Sequence, residues 1–300
     1  MSAMRVITCN VNGIRAAARK GFYAWLRRQR ADVVCLQEIK AHTEQLVDRV
    51  FWPPSFNCYY HPAERKGYSG VGLYCRREPD EVIESTGWAE FDAEGRWLEA
   101  RFGKLSVVSL YLPSGSSSEH RQQVKFEIME RLTQRFAALR ADGREYILCG
   151  DWNIAHTKAD IRNWRGNLKN SGFLPEERAW MDELFGKTGY IDAFREVEQP
   201  PDQYTWWSNR GQAWAKNVGW RIDYQVVTPG VSELVQGARG VREIRLVANP
   251  HRRDQGQVVA VRVDGDGVGV VAEGPGVVIA VFTPLGGGAG VFAGMGAVRI

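Results

Sequence analysis

Strand-like and helix-like segments alternate along residues 4–228, which predicts an α/β fold. Two further observations agree. Hydrophobic residues make up 44% and charged residues 25% of the 300-residue chain, ordinary for a globular protein and incompatible with wholesale disorder. The length suits one large α/β domain, or two domains at most.

The elements follow in order. Residues 4–11 read as a buried strand, 22–30 as a short helix, and 32–38 (DVVCLQE) as a second apolar run ending in polar residues. Residues 97–102 and 105–112 form a hairpin about Gly103 and Lys104. Residues 118–141 carry the clearest helical signal, with Val124, Ile128, Leu132, Phe136 and Leu139 at helical spacing and Gly143 as a stop. Residues 146–153 (YILCGDWN) are another strand ending in polar residues, Pro175 opens a helix that Gly186 closes, and 204–208 and 220–228 read as late strands.

Other features exclude classes of function. No apolar run of about 18 residues without charged or polar breaks precedes the Gly/Val-rich C-terminus, so no membrane role is expected. The opening MSAMRVITCN lacks a signal-peptide layout. Five cysteines (Cys9, Cys35, Cys58, Cys75, Cys149) without CxxC spacing argue against both a zinc site and a disulfide framework, and the expected compartment is the reducing cytoplasm. A net charge of +4 does not by itself indicate nucleic acid.

The strand ends carry the chemistry. The first ends in Asn10-Val11-Asn12, the second in Gln37-Glu38 and the long one in Asp151-Trp152-Asn153, while the last holds Asp223. Singly, an Asp or Asn after a strand is a turn residue. Together, carboxylates and amides at the ends of apolar strands suit a hard cation with oxygen ligands.

These residues resemble the exodeoxyribonuclease III and abasic-site endonuclease family of Mg²⁺-dependent phosphodiesterases. CNVNGIRA (9–16), CLQEIK (35–40), SLYLPSGS (109–116) and CGDWNIAH (149–156) stand where that family carries its signatures. GNLKNSGF (166–173) and KNVGWRIDY (216–224) are typical of its abasic-site branch and argue against a relative that acts on phosphoinositides or sphingolipids. The resemblance implies a four-layered α/β sandwich, two central mixed β-sheets flanked by helices, with residues 4–245 as the catalytic domain. It implies Mg²⁺, with Mn²⁺ as the alternative, held by Glu38 and Asn10 with Asp151 and Asn153, and Asn12 lining the same pocket. Asp151 would orient or deprotonate the attacking water, Asn153 would donate to the phosphate, Tyr111 would hydrogen-bond the phosphate or the developing charge, and Asp223 would complete the catalytic set. On an extended strand, Asp151 and Asn153 would point to one face.

For DNA, Lys158, Arg162, Arg165 and Lys169 concentrate positive charge against Asp160 alone. By resemblance Asn167 and Asn170 contact phosphate with Arg162, Arg165 and Lys169, and Trp206, Trp220 and Ile222 form an apolar pocket for a flipped-out baseless sugar. The alternative reading places those aromatics in the core. The implied partner is double-stranded DNA with abasic sites or 3′ ends, bound by a monomer.

The family's terminal Ser-Asp-His signature is absent from the chain. Near its expected place stand His251 and Asp254, in the wrong order and spacing. Composition changes there too: no Trp or Tyr follows Tyr224, no Lys follows Lys216, and residues 256–300 hold twelve Gly. Residues 246–300 are therefore expected to be an atypical tail, disordered or out of frame, with a β-rich extension or a membrane-adhering segment as the alternatives and the family's closing strand lost. A catalytically impaired DNA-binding remnant is the rival to an active enzyme.

Overall fold

The computed structural model describes residues 3–196 and 199–233 and, as backbone, the strands 245–247, 255–262 and 280–285. The first sheet is built on β1 (Ala3–Asn10), which runs parallel to β2 (Val33–Gln37). Antiparallel β4 (Val71–Cys75) and β3 (Asn57–His61) continue it. On its other side β1 pairs antiparallel with β14 (Gln255–Arg262) from Ala3↔Arg262 to Asn10↔Gln255, and β15 (Ala280–Leu285) and β13 (Arg245–Val247) lie beyond. The second sheet has the order β5 (Glu81–Ile83), β6 (Trp97–Phe102), β7 (Leu105–Tyr111), β8 (Glu145–Asp151), β12 (Asp223–Val227), β9 (Ile191–Asp192). A two-stranded ribbon pairs β10 (Trp206–Trp207) with β11 (Gly219–Trp220).

Both sheets are mixed: the first contains the parallel pairs β1–β2 and β13–β15, the second the parallel pair β7–β8. The β1–β2 connection runs through α1 (Ile14–Arg19) and α2 (Phe22–Gln29), and the β7–β8 connection through α4 (Glu119–Ala141). Parallel strands need such crossovers, and their carboxyl ends then emerge together. Asn10, Glu38, Tyr111 and Asp151 all stand at or just past those ends.

Period-two alternation builds the layers. Val6, Val33, Cys35, Leu73, Leu98, Val107, Ile147 and Cys149 fill the space between the sheets. Their neighbours Ile7, Val34 and Leu36 face the other way, onto Trp25, Leu26 and Phe22 of α2. Val108, Leu110, Leu148 and Val226 pack outward on Met129, Leu132 and Phe136 of α4 and on Met181 and Leu184 of α6 (Pro175–Gly186). The result is helix, sheet, sheet, helix: the four-layered sandwich. Short helices α3 (Ala89–Ala93), α5 (Trp164–Asn167) and α7 (Pro229–Ser232) and 3₁₀ turns at Thr43–Gln45, Arg49–Phe51 and Lys158–Asp160 are the remaining helical elements of the described residues.

Local departures from the sequence expectations have clear causes. Ser118 caps α4 by accepting from the Arg121 amide at 3.2 Å, as its position predicts. The buried stripe of α4, however, is Lys125, Met129, Leu132, Phe136 and Leu139, so a lysine lies where Val124 was expected and Val124 is only half-buried. The expected strand 220–228 is interrupted at Arg221 and Ile222, where the chain passes from the ribbon into β12. Most of the 246–300 tail, including His251 and Asp254, lies outside the described residues. Among the described residues no helix is long and apolar enough to cross a membrane.

Candidate active site

Between the sheets the apolar core turns polar near the carboxyl ends. Thr8 Oγ1 donates to Gln37 Oε1 (3.1 Å), Gln37 Nε2 donates to Ser109 Oγ (3.0 Å), and Ser109 Oγ donates to the Leu36 carbonyl (2.9 Å). All three polar side chains are buried and hydrogen-bonded, as burial requires.

One step outward lies the site. Asn10 Nδ2 donates to Glu38 Oε1 at 3.0 Å and to Asp151 Oδ2 at 2.9 Å, linking a carboxylate of each sheet. Its Oδ1 accepts the Asn12 amide at 2.9 Å, so a flipped amide would set oxygen against two carboxylates. Tyr111 OH donates to Glu38 Oε1 at 2.7 Å, and Lys40 Nζ bonds Glu38 Oε2 and Asn12 Oδ1. Asp223, fully buried, pairs with Asp151 across the β12–β8 ladder.

Three carboxylates in this buried corner perturb one another. Burial pushes Glu38 up, but the Lys40 ammonium and the hydrogen bonds from Lys40, Asn10 and Tyr111 outweigh it and hold Glu38 below its ordinary value. Burial and then the charge of Glu38 push Asp151 up to about 7. Burial and then the charge of Asp151 hold Asp223 well above the usual carboxylate range. Such crowding of like charge in a low dielectric marks a functional site.

The backbone is held there in sparsely populated conformations. Asn12 (φ 43°), Glu38 (φ 53°), Lys40 (φ 48°) and Asn153 (φ 50°) are non-glycine residues in the left-handed region. Asn153 therefore does not continue an extended strand past Asp151, as the sequence reading had it. Trp152 turns into the core, the Asn153 amide folds back on Asp151 Oδ1 (2.9 Å), and Asn153 Nδ2 donates to the Leu112 carbonyl (2.8 Å).

A cleft of about 790 Å³ opens on this corner. Asn10, Glu38, Asp151 and Asn153 line it together with Lys169, Asn170, Trp206, Trp220 and Ile222. The Trp206 and Trp220 rings meet edge to face at 6.0 Å, over a small apolar cluster that includes Ile222 and Phe173. The other predicted contacts are not cleft-lining. Arg162 is held by Asp202 at 2.7 Å, Arg165 stacks on the Trp164 ring at 4.4 Å, and Asn167 bonds the Asn163 carbonyl at 2.7 Å. Tyr111 and Asp223 stand behind the cleft surface, touching it through Glu38 and Asp151.

The geometry agrees with what the chain resembles. The model of the Endonuclease/Exonuclease/phosphatase family matches residues 7–245. The chain belongs to that family. It is 37% identical over 239 residues to an exodeoxyribonuclease of Bacillus subtilis (strain 168), a match covering 78% of this chain and 92% of that one. It is 37% identical over 233 residues to the DNA repair nuclease APEX1 of Danio rerio, covering 75% and 73%. The solved structure of an AP endonuclease from Archaeoglobus fulgidus shares the fold, with a TM-score of 0.74 at 24% identity over 86% of this chain and 99% of that one. Within the Endonuclease/Exonuclease/phosphatase family, this chain thus falls among the exodeoxyribonuclease III and AP endonuclease DNA-repair nucleases.

Sequence reasoning missed several residues of this family member's site. Lys40 was legible as a cation two residues after Glu38, which on a turn can fold back. Arg210 and the loop from Ser114 to Ser118 form much of the cleft wall, and no spacing rule marks them. Arg221, between two predicted pocket residues, is 1% exposed and binds Asp160 and Asp192 at 2.6 Å each.

Proposed function

We propose that this protein is a Mg²⁺-dependent phosphodiesterase that incises duplex DNA 5′ to abasic sites, with 3′-to-5′ exonuclease activity at 3′ ends, acting as a cytoplasmic monomer in base excision repair. The observation that carries the reading is the joining of Glu38 and Asp151 by Asn10 at the floor of a cleft whose wall is Trp206, Trp220 and Ile222.

The donor set fits a hard cation. It is oxygen-rich and sparse, and an ion that keeps several of its waters needs only one or two carboxylates such as Glu38 and Asp151. Glu38 and Asp151 would hold it, and Asn10, whose Nδ2 donates to both carboxylates, would position them. Bound there, Mg²⁺ would neutralise charge on the phosphate and acidify a water.

The chain's own groups do the rest. Asp151 orients the attacking water and takes its proton. Asn153 has one N–H engaged by Leu112 and the other free to donate to the phosphate. Tyr111 and Lys40 hold Glu38 in place. Lys169 and Arg210 supply positive charge for the backbone. The tryptophan wall admits a sugar without a base and excludes a nucleotide by size, and a missing base lowers the unstacking cost.

A labelled duplex with one abasic site, incubated with Mg²⁺ and with EDTA, tests this. Metal-dependent incision 5′ to the site is the expected result. The absence of a Ser-Asp-His triplet from the sequence favours one rival, a DNA-binding remnant without activity. Binding of the abasic duplex in EDTA without incision in Mg²⁺ would establish that rival and make resequencing of the 3′ end of the gene, for a frame shift before the 246–300 tail, the next step.

A further inference from the structure

The least expected group in α4 is Lys125. Its side chain is fully buried in the stripe that otherwise packs on the second sheet, and its partner Glu177 of α6 is equally buried. Bringing both charges out of water costs several kcal/mol per ion, and apolar residues of the same volume would pack here without that cost. The bonds that the pair makes suggest what it does.

Lys125 Nζ donates to Glu177 Oε1 at 2.6 Å and to the carbonyl of Asn153 at 2.9 Å. It thereby ties down the peptide of a cleft residue held at φ 50°. Glu177 Oε2 accepts the amides of Gly172 at 2.6 Å and Leu174 at 3.0 Å, and Oε1 also accepts from Gln122 Nε2 at 3.2 Å. Asn153, Gly172, Leu174 and Gln122 all line the cleft. The Gly172 carbonyl in turn accepts the Ala155 amide at 2.8 Å, which closes the loop back onto the Asp151–Asn153 turn. One buried ion pair therefore joins three separate walls: the turn after β8, the 170–174 loop that follows Lys169, and the first turns of α4.

We infer that Lys125 and Glu177 are the positioning residues of the cleft: Lys125 fixes the Asn153 peptide for the chemical step, and Glu177 fixes the 170–174 loop for DNA binding. The inference rests on the phosphodiesterase reading for its substrate. Its physical basis is that the ammonium carries three donors on one atom, enough for the carboxylate and the carbonyl at once, and the carboxylate has the acceptor sites for two loop amides, Gln122 and the lysine together.

The two halves of the clamp make different predictions, which a generic loss of stability would not. Lys125→Met is expected to lower kcat on an abasic duplex about 100-fold while KM stays within about threefold, because misplacing a reacting group by about 1 Å costs that much. Glu177→Gln is expected to raise KM, and the Kd for the duplex in EDTA, about tenfold through weakening of the Gly172 and Leu174 amide contacts to a charged acceptor. Leu132→Ala, a cavity in the same helix away from the cleft, serves as the stability-matched control and should keep both constants at temperatures where it is folded. If the single variants fail to fold, the double variant Lys125→Met/Glu177→Met removes both charges and should fold while still losing kcat.

Amide exchange on the ligand-free protein separates failure of the clamp from failure of the phosphodiesterase reading. Glu177→Gln should lose protection at Gly172 and Leu174 and keep it along α4 and α6, whether or not the protein cuts DNA. Unchanged protection there, or kinetic constants for both single variants equal to those of the wild type, would overturn the inference. A wild-type protein that cuts nothing, with protection lost in the variant, would overturn only the substrate assigned to it.

Discussion

Asp160 sits 2% exposed at the centre of a charge network beneath the cleft wall. Arg221 Nε donates to its Oδ1 at 2.6 Å, Arg195 reaches both oxygens at 2.7 Å, and Thr157 donates from its amide at 2.8 Å and its hydroxyl at 2.9 Å. Burial pushes the carboxyl up, but the charges of Arg221 and Arg195 and these hydrogen bonds outweigh it and lower the pKa from 3.8 to about 2. The folded-state value lies below the unfolded one. The resulting stability is therefore complete above the unfolded pKa and is lost as pH falls through the folded pKa. The shift corresponds to about 2 kcal/mol at pH 7, nearly all of it still present at pH 5 and about half of it at pH 3. Asp160→Asn keeps the shape and removes the charge, and Asp192 remains on Arg221 at 2.6 Å. We expect a loss of about 3 kcal/mol at pH 7, near the low end for breaking a buried pair. Urea denaturation of wild type and variant at pH 7, 5 and 3 is the assay. The gap should be constant between pH 7 and 5 and narrow by about 1 kcal/mol at pH 3. A gap that stays the same down to pH 3, or widens, would refute the assignment of this stability to the Asp160 carboxylate.

Three further outcomes are expected. Glu38→Gln should reduce Mg²⁺-dependent incision by about 10²–10⁴-fold, while the Kd for the abasic duplex in EDTA stays within about threefold, by gel shift. Gly172→Ala should cost about 1–3 kcal/mol, because Gly172 sits at φ 91° and a Cβ there would lie 3.0 Å from the Asn153 carbonyl oxygen and 3.1 Å from the Trp220 ring; thermal melting reads it. Trp206→Ala should erode the preference for abasic over intact duplex by about tenfold in competition cleavage, with exonuclease activity at 3′ ends less affected.

Much of the fold was legible because its strands and helices obey local rules. The hairpin closes at Phe102↔Leu105 about Gly103 and Lys104, and α6 runs from the proline to the glycine that bracket it in the sequence. At the site, the residues at strand ends were legible because four polar strand ends coincide, although each alone reads as a turn residue. Asn10, Glu38, Asp151 and Asn153 do converge on one cleft. What was not legible depends on side-chain partners distant in sequence. Nothing near Arg162 announces Asp202, forty residues on, which takes up its charge. Nothing near Lys125 announces Glu177, and by helical periodicity alone a lysine in an apolar stripe is assigned to the solvent face. Asn153 defeated the period-two rule because its φ of 50° ends the strand before the rule can apply.

The Thr8–Gln37–Ser109 bridge has a mechanical meaning. Two sheets that met only through methyl groups could slide past one another by fractions of a residue at little cost, since dispersion has no direction. The Gln37 amide, one residue before Glu38, spans the gap with directional bonds to Thr8 on its own sheet and Ser109 on the other. Glu38 and Asp151 belong to different sheets, so their separation is set by how the sheets are offset. The bridge acts as a gauge pin: it converts a soft sliding coordinate into one fixed spacing, and the distance between Glu38 and Asp151 follows from it.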